Sequence, residues 1–86
     1  MCYIRAHDDS MVPHLVSLRG VELICERQDS QATLLHNIKG KKVVQAEKLN
    51  LDSGQFYPVR VFLTPTKNRT LYFETPQLAR QWTHLI

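Results

Sequence analysis

Cysteine, glycine and proline are scarce in this chain, and long apolar runs are missing. Two cysteines, Cys2 and Cys25, are too few for a disulfide scaffold. We therefore expect a reducing, cytoplasmic setting with Cys25 as a small buried thiol. Three glycines and four prolines exclude a disordered low-complexity chain. No apolar stretch reaches the roughly 18 residues of a membrane-spanning helix, and residues 1–10 lack the apolar centre of a signal peptide.

The length of 86 residues predicts one domain, spanning residues 1–86. A chain of this size buries only about 60–65% of its unfolded surface, so most apolar side chains are needed for the core. Little room is left for a deep active-site cavity, which favours a binding module over an enzyme. Because the chain opens in a predicted strand and stops in a predicted helix, we expect a domain excised from a larger signalling protein, for example a protein kinase.

Charge is divided unevenly along the chain. Residues 1–38 hold three basic and five acidic side chains, whereas residues 39–86 hold eight basic and three acidic ones. A basic half predicts an acidic partner, although a solvated surface has the same composition.

Short segments of alternating polarity, each ended by a turn, predict antiparallel β-structure. Seven strands are expected, at residues 3–6, 14–18, 21–27, 32–38, 42–47, 57–63 and 70–74. Alternation predicts which side chains face the core. These are Val21, Leu23, Cys25, Val44, Ala46, Tyr57, Val59, Val61, Leu63, Leu71 and Phe73. Arg19 and Gly20 are expected to form a two-residue turn, with Gly20 at positive φ, and residues 50–54 a loop.

The period then changes from two to 3.6. Thr75 is expected to cap a helix that starts at Pro76, since proline suits the first helical position. Leu78, Trp82 and Leu85 form one apolar stripe, with Ile86 beside it. Seven twisted strands in so short a chain curl into two near-orthogonal sheets or an incomplete barrel. We expect the helix to close the open end, with Trp82 as its main contact.

Two segments resemble the pleckstrin homology (PH) family. Residues 14–24 are similar to its second-strand, turn, third-strand unit, and residues 69–75 followed by Leu78 and Trp82 are similar to its last strand and closing helix. The resemblance covers essentially the whole chain. It implies a seven-stranded antiparallel barrel capped by one C-terminal helix, and a non-catalytic module without a cofactor. Such a module recruits its parent protein to a membrane, where it is peripheral.

The resemblance also implies where lipid would bind. Phosphoinositide-binding relatives carry a base at the end of the first strand and a Lys-x-Arg pair at the start of the second. Arg5 matches the first base, but the pair falls on Val12 and His14, and the loop between holds acids. This departure implies weak head-group binding, with Arg5, His7 and His14 as the candidates. His7 and His14 would gain charge near pH 6.

A second group of lipid-binding candidates surrounds a predicted turn at Lys39 and Gly40. Lys39, Lys41 and Lys42 lie within four residues, and each base near an anionic bilayer contributes about 1 kcal/mol. The competing interpretation is a solvated hairpin that lysines keep from edge-to-edge aggregation.

Other functions are less well supported by the residues. The four histidines match no zinc-ligand spacing, and no catalytic triad or phosphate loop is present. A nucleic-acid-binding barrel would use Tyr57, Phe62 and Tyr72 for stacking, but the closing helix favours the PH-like interpretation, and no nucleic acid is expected. The main alternative is a monomeric protein-interaction or autoregulatory module that binds no lipid and docks through a sheet edge or through Leu15 or Phe62.

Overall fold

The computed structural model describes residues 2–30, 32–52 and 54–86, which form eight antiparallel strands followed by one helix. In chain order these are β1 (Cys2–Arg5), β2 (Met11–Arg19), β3 (Glu22–Arg27), β4 (Thr33–Asn37), β5 (Lys42–Gln45), β6 (Leu49–Leu51), β7 (Gly54–Phe62), β8 (Asn68–Phe73) and α1 (Pro76–Leu85). The mainly β architecture with one C-terminal helix is thereby confirmed.

The strands lie in the order β4-β3-β2-β1-β8-β7-β5, and β6 pairs with β7 off this path. β1 pairs with β2 over its whole length but with β8 only at Tyr3 and Tyr72. β4 and β5 follow each other along the chain, yet they stand at opposite ends of the path and do not pair with each other. The described sheet is therefore not a closed barrel.

The eighth strand corrects the predicted count of seven. β6 lies partly in the segment 50–54 that was expected to be a loop, and Leu49 and Leu51 pair with Phe56 and Gly54 of β7. Ser53, in the same segment, lies outside the described residues. A strand of three residues shows too little alternation to stand out from a loop, which explains why the sequence pattern did not predict it.

The core lies on the inner face of the sheet, the face that α1 covers. Its fully or nearly fully buried apolar side chains come from β1, β2, β3, β7 and β8, from the β4–β5 connection and from α1; they are Cys2, Ile4, Val16, Leu23, Cys25, Ile38, Val59, Val61, Leu71, Phe73 and Ala79. Six of the predicted inward residues are among them. Tyr57 and Leu63 are half-buried and pack against this cluster, as expected.

Two predicted inward residues, Val21 and Val44, are exposed. Arg19 pairs with Glu22, so the tight turn consists of Gly20, at φ +59°, and Val21 rather than Arg19 and Gly20. Val21 therefore sits in the turn. In β5, Val43 pairs with the buried Val61, which places Val43 inward and turns Val44 to the outer face.

The helix begins as the sequence predicts. The Thr75 hydroxyl oxygen accepts a hydrogen bond from the Leu78 N–H at 3.2 Å, and Pro76 is the first helical residue. α1 lies against β5, β7 and β8. Ala79 is fully buried, whereas Leu85 is 53% exposed. Since each residue turns the helix by about 100°, the buried face is centred between Trp82 and Ala79, and Leu85 falls beyond its edge.

Trp82 makes the main aromatic contact of the helix. Its ring stacks on that of Phe73 in β8, with centroids 6.2 Å apart and planes inclined by 13°. Offset stacks of this kind add about 0.5–1.5 kcal/mol to the burial of the two rings. Together with half-buried Leu78 and Ile86, Trp82 covers the core from the helix side.

We predict that Trp82→Ala lowers the free energy of unfolding by about 3–5 kcal/mol, because it removes both the stack and the apolar area that covers the core. Urea unfolding followed by circular dichroism measures this loss. Gln81→Ala, on the exposed side of the same helix, is the matched control and should change stability by less than about 0.5 kcal/mol. A Trp82→Ala midpoint equal to that of wild type would contradict the packing described.

Candidate functional site

The structure divides the predicted lipid-binding bases between two places on the sheet. Arg5, His7 and His14 lie at or near the loop between β1 and β2, whereas Lys39, Lys41 and Lys42 surround the connection between β4 and β5. The two groups differ in their electrostatic surroundings.

A small cavity of about 180 Å³ lies near the first group, and Arg5, His14 and Arg27 contribute its basic lining. Arg5 is engaged by a carboxylate, since its Nε lies 3.2 Å from Asp9 Oδ1. Arg27 is engaged by Asp29, with Nη2 and Oδ2 3.1 Å apart. This hydrogen bond holds the pKa of Asp29 below its usual value. An anionic head group would therefore have to compete with two carboxylates.

His14 and His7 are placed very differently. His14 is buried in β2, and its Nδ1 donates to the carbonyl oxygen of Val12 at 2.9 Å. His7 is exposed in the loop that also holds Asp8 and Asp9. Ser10 donates to the Asp8 carboxylate from both its hydroxyl and its N–H, which lowers the pKa of Asp8. The loop therefore keeps its negative charge well below neutral pH.

The second group is built on a tight connection between β4 and β5. The Asn37 Oδ1 accepts from the Lys39 N–H at 3.0 Å, and the Lys41 N–H donates to the Ile38 carbonyl at 3.0 Å. Gly40 adopts φ +69°, a backbone conformation that is strained for residues with a side chain and that glycine adopts freely. The three lysine side chains are exposed, and none forms an ion pair with any residue that the structure describes.

The turn between β7 and β8 lies beside this connection. Lys42 pairs with Phe62 across the strands, so the chain that follows Phe62 comes close to Gly40. A shallow depression of about 400 Å³ results, and the residues that line it are Gly40, Lys41, Lys42, Phe62, Leu63, Thr64 and Pro65. Lysine charge and apolar surface thus share one concavity.

Residues 62–67 were not predicted to belong to a site with the lysines. The two turns are far apart in sequence, and only the register of β5 against β7 joins them. The basic Lys67 lies in the same turn, where its carbonyl oxygen accepts from the N–H groups of Leu63 and Thr64. No local sequence signal links the two turns.

A third depression, of about 520 Å³, is lined by acidic rather than basic side chains. It lies between the β1–β2 loop and the start of β7, and its charged lining consists of Asp9 and Glu74. Tyr3 donates to Glu74 Oε1 at 3.1 Å and packs edge-on against Phe56. Because its charges are negative, this depression is unsuited to an anionic ligand.

Buried titratable groups occupy the interior. Burial raises the pKa of the Cys2 thiol to about 12 and that of Cys25 to about 11. His36 Nε2 and Arg69 Nε are buried without a hydrogen-bond partner in the described structure. Burial, and then the Arg69 charge, lower the pKa of His36. Among the described residues, no group of three or more His, Cys, Asp or Glu is placed to hold a metal ion.

Comparison with known proteins leaves the chain without an assigned relative. No protein-family model, no curated protein and no solved structure matches it. Within the described residues, a helix that could span a bilayer is not found.

We predict that neither thiol is alkylated readily in the folded protein. A pKa of about 11 instead of 9.0 leaves Cys25 with about a hundredfold less thiolate at pH 8, and both side chains are inaccessible. Mass spectrometry after iodoacetamide treatment should show two added groups in urea and none in buffer. Rapid labelling of either cysteine in buffer would contradict the buried placement.

We also predict that Arg69→Met raises the pKa of His36, because it removes the neighbouring positive charge while burial remains. Titration of the ring protons by nuclear magnetic resonance measures the change, and Arg60→Met, on the exposed outer face, should leave the value unaltered.

Since a lowered histidine pKa disfavours the charged form in the folded state, wild-type stability should fall as pH drops below about 6.5. A His36 pKa unchanged by Arg69→Met would contradict the proposed effect of the Arg69 charge on His36.

Proposed function

We propose that this domain adheres weakly to anionic membranes through the surface made by the β4–β5 connection and the β7–β8 turn. The observation that carries the proposal is the shared depression, in which Lys41 and Lys42 stand beside Phe62, Leu63 and Pro65. Pro65 is exposed, and Phe62 and Leu63 are half-buried. Cations next to partly exposed apolar groups suit the boundary between phosphate head groups and acyl chains.

Electrostatics sets the expected strength. Each lysine near an anionic bilayer contributes about 1 kcal/mol, so Lys39, Lys41 and Lys42 together supply about 3 kcal/mol. The attraction is screened over about 10 Å at 0.1 M salt, and adhesion should therefore weaken steeply as salt rises. Such a domain supports membrane recruitment of a larger signalling protein rather than acting as its only anchor.

The arrangement favours general anionic lipid over one phosphoinositide. Stereospecific recognition needs several cations that converge on one head group, and the bases at the β1–β2 end are engaged by Asp9 and Asp29. The lysines of the β4–β5 connection border an open depression instead.

The strand order supports a PH-like barrel as the underlying fold. The main path contains seven antiparallel strands, a single helix follows the last of them, and Trp82 packs on the core. We infer two near-orthogonal sheets, β1–β4 and β5 with β7 and β8, joined at β1.

Co-sedimentation with vesicles tests the lipid proposal. We expect binding to phosphatidylserine-containing vesicles at low salt, at least about tenfold weaker binding at high salt, and none to pure phosphatidylcholine. Lys41→Glu/Lys42→Glu should abolish binding. Arg19→Glu/Arg80→Glu changes the net charge equally at exposed positions elsewhere and should retain most of it. Equal losses in both double variants would show that only net charge matters and would overturn the assigned surface.

A further inference from the structure

β4 is the outer strand at one end of the sheet, and the direction of its backbone groups follows from its pairing. The Arg27 N–H donates to the Ala32 carbonyl and the Ile38 N–H donates to the Val21 carbonyl. Arg27 with Ala32 and Val21 with Ile38 are therefore hydrogen-bonded pairs. Between them, hydrogen-bonded and non-hydrogen-bonded residue pairs alternate along the two antiparallel strands. Leu35 and Asn37 therefore fall in non-hydrogen-bonded pairs with β3. Their N–H and C=O groups point away from β3, toward the open edge.

The outer face beside this edge is apolar at its centre. Leu35 is 59% exposed and pairs with half-buried Ile24, which pairs in turn with Ser17 of β2. Leu15, one row away on the same face, is 48% exposed. An extended segment that paired with Leu35 would place its own alternate side chains next to this row.

The same face is acidic where it adjoins the edge. Glu22 and Glu26 flank Ile24 on β3, both are exposed, and neither is in an ion pair with any described residue. The single base on this face of the three strands, Arg19, lies opposite Glu22. Glu26 lies between Leu15 and Thr33 and has no base opposite it. Charge complementarity therefore selects a basic occupant.

We propose that the open edge of β4 binds an extended, lysine- or arginine-rich segment of a partner protein as an added strand. Main-chain hydrogen bonds to Leu35 and Asn37 provide the pairing, and an apolar residue of the segment opposite Leu35 packs on Leu35 and Ile24. Basic residues two positions before and after it point to the same face and reach Glu26 and Glu22, which lie in the rows on either side of Ile24. This is strand addition with selection by charge, at a surface separate from the lysine depression.

A second copy of this chain fits the edge less well. Residues 1–38, which contain β1 to β4, carry three basic and five acidic side chains. Pairing of two β4 edges would bring two such acidic halves together, and like charges oppose association.

A synthetic peptide tests the proposal directly. The probe is a capped, fluorescently labelled heptapeptide of sequence Thr-Lys-Thr-Val-Thr-Lys-Thr, which places both lysines and the valine on one face. Its counterpart carries glutamate in place of each lysine, and anisotropy is the readout. We expect the lysine peptide to bind at least about tenfold more tightly than the glutamate peptide. Glu22→Lys/Glu26→Lys should reverse this preference. Equal affinity of the two peptides for wild type would overturn the proposal.

The edge itself is tested by Leu35→Pro, which removes an N–H that does not take part in the β3 ladder. Leu35→Thr is the matched control that keeps the N–H. Loss of this hydrogen bond should weaken peptide binding about threefold to tenfold relative to Leu35→Thr, with thermal melts showing that both variants fold. Equal binding by the two variants would overturn strand addition. If Leu35→Pro does not fold, the charge-reversal result decides.

Two further measurements separate this surface from others. Lys41→Glu/Lys42→Glu should bind the lysine peptide at least as well as wild type, although it loses vesicle binding. Peptide binding at the β4 edge and vesicle binding at the lysine depression can therefore be tested separately. Light scattering should show a monomer at the concentrations used. A dimer in wild type that becomes a monomer in Leu35→Pro would identify a second copy of this chain as the occupant of the β4 edge. That result would overturn the proposed partner.

Discussion

The stack of Trp82 on Phe73 joins the C-terminal helix to the inner face of β8. Without this contact, the apolar side chains of β7 and β8 would lose their cover on the side where α1 lies. In a chain of 86 residues, few other apolar contacts are present that could replace the buried area lost with this stack. The capped start of α1 at Thr75 fixes the direction in which the helix leaves β8 and so brings Trp82 over the core.

The inner face supplies stability, and the outer surfaces are divided by charge. The half of the chain that forms β1 to β4 is acidic, and its arginines at the β1–β2 end are engaged by neighbouring aspartates. The other half is basic, and its lysines at the β4–β5 connection are exposed. The acidic and the basic parts of the surface therefore favour ligands of opposite charge.

Seven of the eight strands, the capped helix and the core positions of β7 and β8 could be predicted from the sequence, because alternation and capping are local signals. The three-residue β6 could not. Prediction failed where the answer depended on pairing between strands. The inward side of β5 is set by Val61 on β7, and the turn position of Val21 is set by the pairing of Arg19 with Glu22. The candidate site shows the same limit. The lysine run was visible, but its apolar neighbours Phe62 and Pro65 come from a distant turn that only the β5–β7 register brings near.

The failure of β4 to pair with β5 has a consequence for the covalent continuity of the domain. A single cleavage within residues 38–41 would leave the ladders among β1 to β4 in one fragment and those among β5 to β8 in the other. The pairing of Tyr3 with Tyr72, the contacts of the Tyr3 ring with Glu74 and Phe56, and the shared core would join them. The fragments carry opposite net charge, as residues 1–38 and 39–86 do. The connection is thus a natural place to divide the domain into two complementing pieces that attract each other before they pack.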